Sequence, residues 1–115
     1  MAVEIRPAQA LRLLHDLTHA LVTDGEADLS VRQLAVLLTI YLEPPPHTVR
    51  GLAAKLRVTK PVITRALDTM GKLELVSRKR DPADRRNVVI QRTVKGALYV
   101  EKLGDVVVAK AHELR

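Results

Sequence analysis

Residues 48–72 read TVRGLAAKLRVTKPVITRALDTMGK, and the reading of this stretch decides the fold. Thr48 is suited to cap a short helix carrying Leu52, Ala53 and Leu56. Val58-Thr59 then makes a brief turn, and Thr59 caps a second helix from Lys60 to about Lys72. Two short helices separated by a tight turn form a helix-turn-helix pattern. Projected at 100° per residue, Val62, Ile63, Ala66, Leu67 and Met70 fall between about 200° and 340°, while Lys60, Pro61, Thr64, Arg65, Asp68, Gly71 and Lys72 fall between about 0° and 140°. The apolar face must pack on the domain. The other face offers Lys60, Thr64 and Arg65 in its N-terminal half, where a recognition helix meets base edges and phosphates of the major groove. An amphipathic surface helix has the same pattern, so the helix alone leaves both readings open.

Upstream, Leu29-Ser30-Val31-Arg32-Gln33-Leu34 opens a helix with Ser30 as N-cap, Gln33 completing a capping box, and Leu29 and Leu34 at the positions of a hydrophobic staple. That helix runs to about Leu42, where Pro44-Pro45-Pro46 forms a stiff connector that cannot continue it. Further back, Pro7 suits a first helical position, and Ala10, Leu14, Leu17 and Leu21 recur along one face of a helix ending near Thr23.

Downstream the period changes. Leu75 to Arg80 and Val88 to Thr93 read as strands joined by Asp81-Pro82-Ala83-Asp84-Arg85-Arg86, a β-hairpin with a charged tip. Arg78, Lys79, Arg80, Arg85 and Arg86 cluster at or near the tip, within reach of a minor groove or phosphate chain. Asp84 is expected to hold an arginine or to cap loop N–H groups, orienting Arg86. Thr93 caps a final helix in which Val100, Leu103, Val107, Ala111 and Leu114 form an apolar seam.

Charge supports the same surface. The chain of 115 residues has a net charge of +6, and the segment from Arg50 to Lys95 holds 13 basic and 4 acidic residues, a local excess of +9 between acidic ends. Two tyrosines and no Phe or Trp leave a core of Leu, Val, Ala and Ile, and disfavour stacked bases or an aromatic cage. With no cysteine there is no disulfide framework, thiolate zinc site or iron–sulfur cluster. No secretory signal and no apolar run of membrane-spanning length is visible, so a cytoplasmic protein without membrane contact is expected. His15 and His19 lie one helical turn apart with no third ligand nearby, and read as a structural or exposed pair, not a metal site. No nucleophile, paired-carboxylate or phosphate-loop arrangement argues for catalysis, and no cofactor is implied.

The stretches Val49-Arg50-Gly51-Leu52-Ala53-Ala54-Lys55-Leu56, Val62-Ile63-Thr64-Arg65-Ala66-Leu67-Asp68, Leu75-Val76-Ser77-Arg78 and Asp81-Pro82-Ala83-Asp84-Arg85-Arg86 resemble the winged-helix core of MarR-type transcriptional regulators, and Thr93-Val94-Lys95-Gly96 matches the opening of their next helix. The resemblance covers Ser30 to about Tyr99. It implies a mostly α fold with a small β-hairpin wing, and a dimer reading a pseudo-palindrome in double-stranded DNA. Lys60, Pro61, Thr64 and Arg65 would enter the major groove, Arg86 would lie near the minor groove, and Thr48, Arg50, Arg78, Arg80, Asp84 and Arg85 complete the DNA-facing set. Leu14, Leu17, Leu21, Val100, Leu103, Val107, Ala111 and Leu114 are the candidate dimerisation residues. Relatives of this family often respond to small phenolic or lipophilic effectors, a role that short terminal helices and scarce aromatics disfavour here.

One departure concerns Glu74, which stands where the family usually ends its recognition helix on Gly. A left-handed cap at Glu74 costs energy, so the helix is expected to end differently or earlier. The whole chain is read as one winged helix-turn-helix domain over 1–115, with an N-terminal helix and turn over 1–29, the core over 30–93 and a C-terminal helix over 94–115. The alternatives are a winged helix used for protein interaction or dimerisation without sequence-specific DNA binding, and an accessory domain of an enzyme encoded elsewhere.

Overall fold

The computed structural model describes residues 2–115. Its elements run α1 (Pro7–Asp24), α2 (Val31–Leu42), β1 (His47–Thr48), α3 (Val49–Leu56), α4 (Lys60–Lys72), β2 (Val76–Arg80), β3 (Val88–Arg92) and α5 (Val94–His112). They form two compact units: Leu29–Val100, and the chain up to Asp28 together with Glu101–Arg115. No helix among the described residues is long and apolar enough to cross a membrane.

In the Leu29–Val100 unit, α2 begins as its sequence dictates. The Ser30 hydroxyl accepts from the Gln33 N–H at 3.1 Å and the Gln33 side chain accepts from the Ser30 N–H at 2.9 Å. The buried faces of α2 (Val36, Leu37, Ile40), α3 (Leu52, Ala53) and α4 (Ile63, Ala66, Leu67, Met70) meet Leu75, Val76 and Ile90 in one core without an aromatic ring. Its components are the aliphatic residues that composition left available, with Met70 added.

Two strands were expected, and a third is present. His47 and Thr48 pair antiparallel with Ile90 and Val89, giving a sheet in the order β1-β3-β2. So short a strand has no period-2 signature to read. His47, 4% exposed, donates from Nε2 to the Glu43 carbonyl at 3.1 Å. Thr59 occupies the N-cap position of α4, yet its hydroxyl makes no capping bond; the Thr59 carbonyl and Pro61 in the first turn start the helix instead.

The end of α4 also differs from expectation. Glu74 does take a left-handed conformation, with φ 62°. The Glu74 N–H bonds to the Gly71 carbonyl at 3.0 Å and the Leu75 N–H to the Met70 carbonyl at 2.9 Å, the paired bonds of a Schellman motif, with Met70 and Leu75 both buried. The burial of Leu75 outweighs the local strain, and the turn is held from a second side. The Tyr41 hydroxyl donates to the Leu75 carbonyl at 2.6 Å and accepts from the Thr93 N–H at 3.0 Å; the Thr93 hydroxyl donates to the Glu74 carbonyl at 2.8 Å and accepts from the Gly96 N–H at 2.9 Å, capping α5 as anticipated. A Cβ on Gly96 would overlap the Tyr41 hydroxyl and the Leu75 carbonyl, so that position admits only glycine without rearrangement.

In the other unit, α1 starts at Pro7 with the Arg6 N–H donating to Gln9 Oε1 at 3.0 Å. The ends of α1 and α5 are linked by Gln9 to the Arg115 carbonyl at 3.4 Å and by Lys102 to Glu26 at 3.0 Å, which makes them antiparallel. No residue of α1 is buried. The Asp16 carboxyl is held below the usual carboxylate range chiefly by its hydrogen bond with His15, 3.0 Å away, with Arg12 and Lys110 adding attraction.

Replacing Glu74 by glycine removes the left-handed penalty of about 1–2 kcal/mol and restores backbone freedom to the unfolded chain. The exposed Lys95–Glu74 pair at 3.7 Å contributes little. E74G should therefore raise stability by about 0.5–1 kcal/mol in chemical denaturation, whereas a lower midpoint would show that the Glu74 side chain stabilises the turn.

Candidate nucleic-acid interface

Helix α4 rests on the core through Ile63, Ala66, Leu67 and Met70, with Val62 half-buried. Burial of that face leaves Lys60, Pro61, Thr64, Arg65, Asp68 and Lys72 exposed on the other, as projection at 100° per residue requires, with Gly71 half-buried at its edge. Ahead of it, α3 ends in a left-handed turn at Arg57, φ 55°, where the Val58 N–H reaches the Ala53 carbonyl at 3.1 Å. The tight turn between the two helices follows.

An open groove of about 520 Å³ joins the start of α3, the start of α4 and the wing; it is lined by Thr48, Val49, Arg50, Lys60, Asp84, Arg86, Asn87 and Val88. Five of the residues singled out from sequence thus share one concavity. Thr48 is half-buried, and its hydroxyl accepts from the Gly51 N–H at 3.0 Å, so it caps α3 while facing the groove. Asp84 adopts the second of its two expected roles: Oδ1 accepts from the Arg86 N–H at 3.1 Å, and the Asp84 carbonyl accepts from the Asn87 N–H at 2.9 Å. Asp81 does the same for the Ala83 N–H at 2.9 Å, and Arg80 donates to the Arg85 carbonyl at 2.8 Å. The loop is closed by its own backbone, carboxylates and Arg80. Arg85 and Arg86 are left exposed, and neither makes an ion pair among the described residues.

A family model described as the MarR family matches residues 29–88, just over half of the chain. The chain belongs to the MarR family. The solved structure of MarR is similar, at 25% identity and a TM-score of 0.69 over 91% of this chain and 78% of that one. The transcriptional repressor CouR, bound to a 23-mer DNA duplex, shares the fold at 24% identity and a TM-score of 0.73, covering 92% of this chain and 72% of its own. So does MepR of S. aureus in complex with DNA, at 21% identity and a TM-score of 0.63, covering 86% and 73%. No curated protein matches the sequence.

Within this MarR-family chain the +9 segment is not a single free patch. Arg92 donates to the Ile40 carbonyl at 2.8 Å and the Glu43 carbonyl at 2.9 Å, satisfying the end of α2, and its guanidinium lies 5.8 Å from the Tyr41 ring centre. Lys55 pairs with Glu43 at 2.7 Å, and Arg78 pairs with Asp68 at 2.8 Å. Arg50, Lys60, Arg65, Lys72, Lys79, Arg85 and Arg86 are exposed without an ion pair among the described residues.

Arg92 as a positioning residue and Arg78 as a link to α4 have no local motif in the sequence, although strand parity holds the signal. Arg78 lies opposite Ile90 and Arg92 two residues beyond it, so both share the inward face of the sheet. Of the dimerisation candidates, Leu17, Leu21, Val100, Leu103, Ala111 and Leu114 are half-buried, whereas Leu14 is 56% and Val107 36% exposed. His15 and His19 are exposed with ring centres 5.9 Å apart, and no group of three metal-binding side chains occurs among the described residues.

Proposed function

We propose that the chain is a sequence-selective, double-stranded-DNA-binding transcriptional regulator that works as a homodimer in the cytoplasm. The observation that carries this reading is the open groove in which the N-terminus of α4 and the wing present Lys60, Arg50 and Arg86 together, beside an α4 face exposing Thr64 and Arg65. Membership of the MarR family, and the DNA duplexes bound to CouR and MepR, support it. In this reading Lys60 and Pro61 lead α4 into the major groove, and Arg65 reads a guanine edge through its planar fork. Thr64 meets a base edge or a thymine methyl. Thr48, Arg50, Arg80 and Arg85 engage phosphates, and Arg86, oriented by the Asp84 turn, lies at the minor groove.

The terminal helices support the second copy. Leu11, Leu14, Val22, Val107 and Val108 remain exposed in one chain, an apolar surface that association of two like copies would cover. Leu14, Leu17, Leu21, Val100, Leu103, Val107, Ala111 and Leu114 are assigned to that interface.

Selection of bound sites from random duplexes tests the reading directly. A palindrome with half-sites about one helical turn apart is expected, with sedimentation giving a dimer at micromolar concentration. Recovery of no preferred sequence would favour a protein-interaction module instead. Against the selected site, Arg65→Ala should relax preference at one base position in each half-site; a uniform loss of affinity across all sequences would remove its base-reading role. Neutralising Arg85 and Arg86 together should flatten the dependence of log affinity on log salt by up to about four units, because each subunit of the dimer loses two cationic contacts, and an unchanged slope would place the wing off the DNA.

A further inference from the structure

Asp68 is the one carboxylate on the exposed face of α4, among Lys60, Arg65 and Lys72. Its Oδ1 stands 2.8 Å from a terminal nitrogen of Arg78 on β2, with the two side chains 51% and 38% exposed. The other terminal nitrogen of Arg78 lies over Gly71, 3.8 Å from where a Cβ would stand. Because Arg78 shares the inward face of the sheet with Ile90, its guanidinium reaches back across α4 and not out with Lys79, which alternates to the opposite face.

We infer that Asp68, by holding Arg78 against α4, sets the selectivity of DNA binding: it fixes the wing to the recognition helix and withdraws an arginine that would otherwise bind any duplex. The inference rests on the DNA-binding function proposed above. Two physical effects act in the same direction. A specific complex needs the wing and α4 at one spacing, so an ion pair between them reduces the ordering required on binding. A non-specific complex needs no such spacing and gains from every free cation, because each phosphate neutralised releases counterions irrespective of sequence. Asp68 favours the first complex and disfavours the second. An exposed pair of this kind contributes little to folding stability, so its role is legible in binding.

Binding of the intact chain to its selected duplex and to a scrambled duplex of equal length, from 50 to 200 mM salt, tests this. Asp68→Asn should bind the scrambled duplex about tenfold tighter at the low end of that range, with a log–log salt slope steeper by about two units, one for the Arg78 freed in each subunit. The ratio of selected to scrambled affinity should fall at least as much. Adding Arg78→Ala to Asp68→Asn should return the scrambled-duplex slope to that of the unaltered chain. An unchanged slope and ratio in Asp68→Asn, or an equal loss of affinity for both duplexes, would overturn the inference and leave the pair a structural contact. If the unaltered chain prefers no duplex, it is the DNA-binding reading that fails, an outcome separate from any behaviour of the variant.

Discussion

The Tyr41 hydroxyl is the point on which the winged unit depends. It bonds the Leu75 carbonyl at the end of α4 and the Thr93 N–H at the end of β3, and its space is provided by the missing side chain of Gly96 at the start of α5. Two chain segments far from α2 in sequence, the end of α4 and the junction of β3 with α5, are thereby fixed to it. The Thr93 hydroxyl, between the Glu74 carbonyl and the Gly96 N–H, ties the same segments a second time. A partly buried hydrogen-bond network of this kind is expensive to disturb, because each group left unpaired loses its water as well as its partner. It also explains how a glutamate tolerates a left-handed backbone: the turn lets Leu75 enter the core and the Glu74 carbonyl meet the Thr93 hydroxyl, which offsets the local strain.

The electrostatic surface follows from what the core and the strand pleat do with each basic residue. Burial of Ile63, Ala66, Leu67 and Met70 turns Lys60, Thr64 and Arg65 outward. The pleat turns Arg78 and Arg92 inward, where one finds Asp68 and the other finds the orphan carbonyls at the end of α2. Cations that look equivalent in a charge count therefore separate into those that hold the fold and those available to a polyanion. The wing loop does comparable work with Asp81 and Asp84, whose carboxylates bind backbone N–H groups and leave Arg85 and Arg86 unpaired.

Much of this arrangement was legible from residue order, because it rests on local rules. The Ser30–Gln33 capping box, the amphipathic division of α4, the turn at Asp81–Arg86 and the Thr93 cap each depend on residues within a few positions of one another. The strand His47–Thr48 was not legible, being two residues long and defined only by its partner β3. Nor was the uncapped Thr59 hydroxyl, since a suitable residue at a suitable position does not compel the bond. The terminal helices show a third limit. Their apolar seams were readable as periodicity, but which side chains one chain covers by itself, and that it leaves Leu14 and Val107 in the open, depends on packing geometry.

By itself, the sequence determined the order of the five helices and the two wing strands, the composition of an aliphatic core, the helix face free to meet a partner and the family to which the chain belongs. Periodicity, capping and turn chemistry are short-range, so one strand of text contains them. Only the tertiary structure decided that Glu74 accepts the left-handed turn, that Arg92 closes α2 and that Arg78 answers Asp68. Those outcomes depend on groups brought together across loops, and their energies are set by burial and by partners that no local window of residues includes.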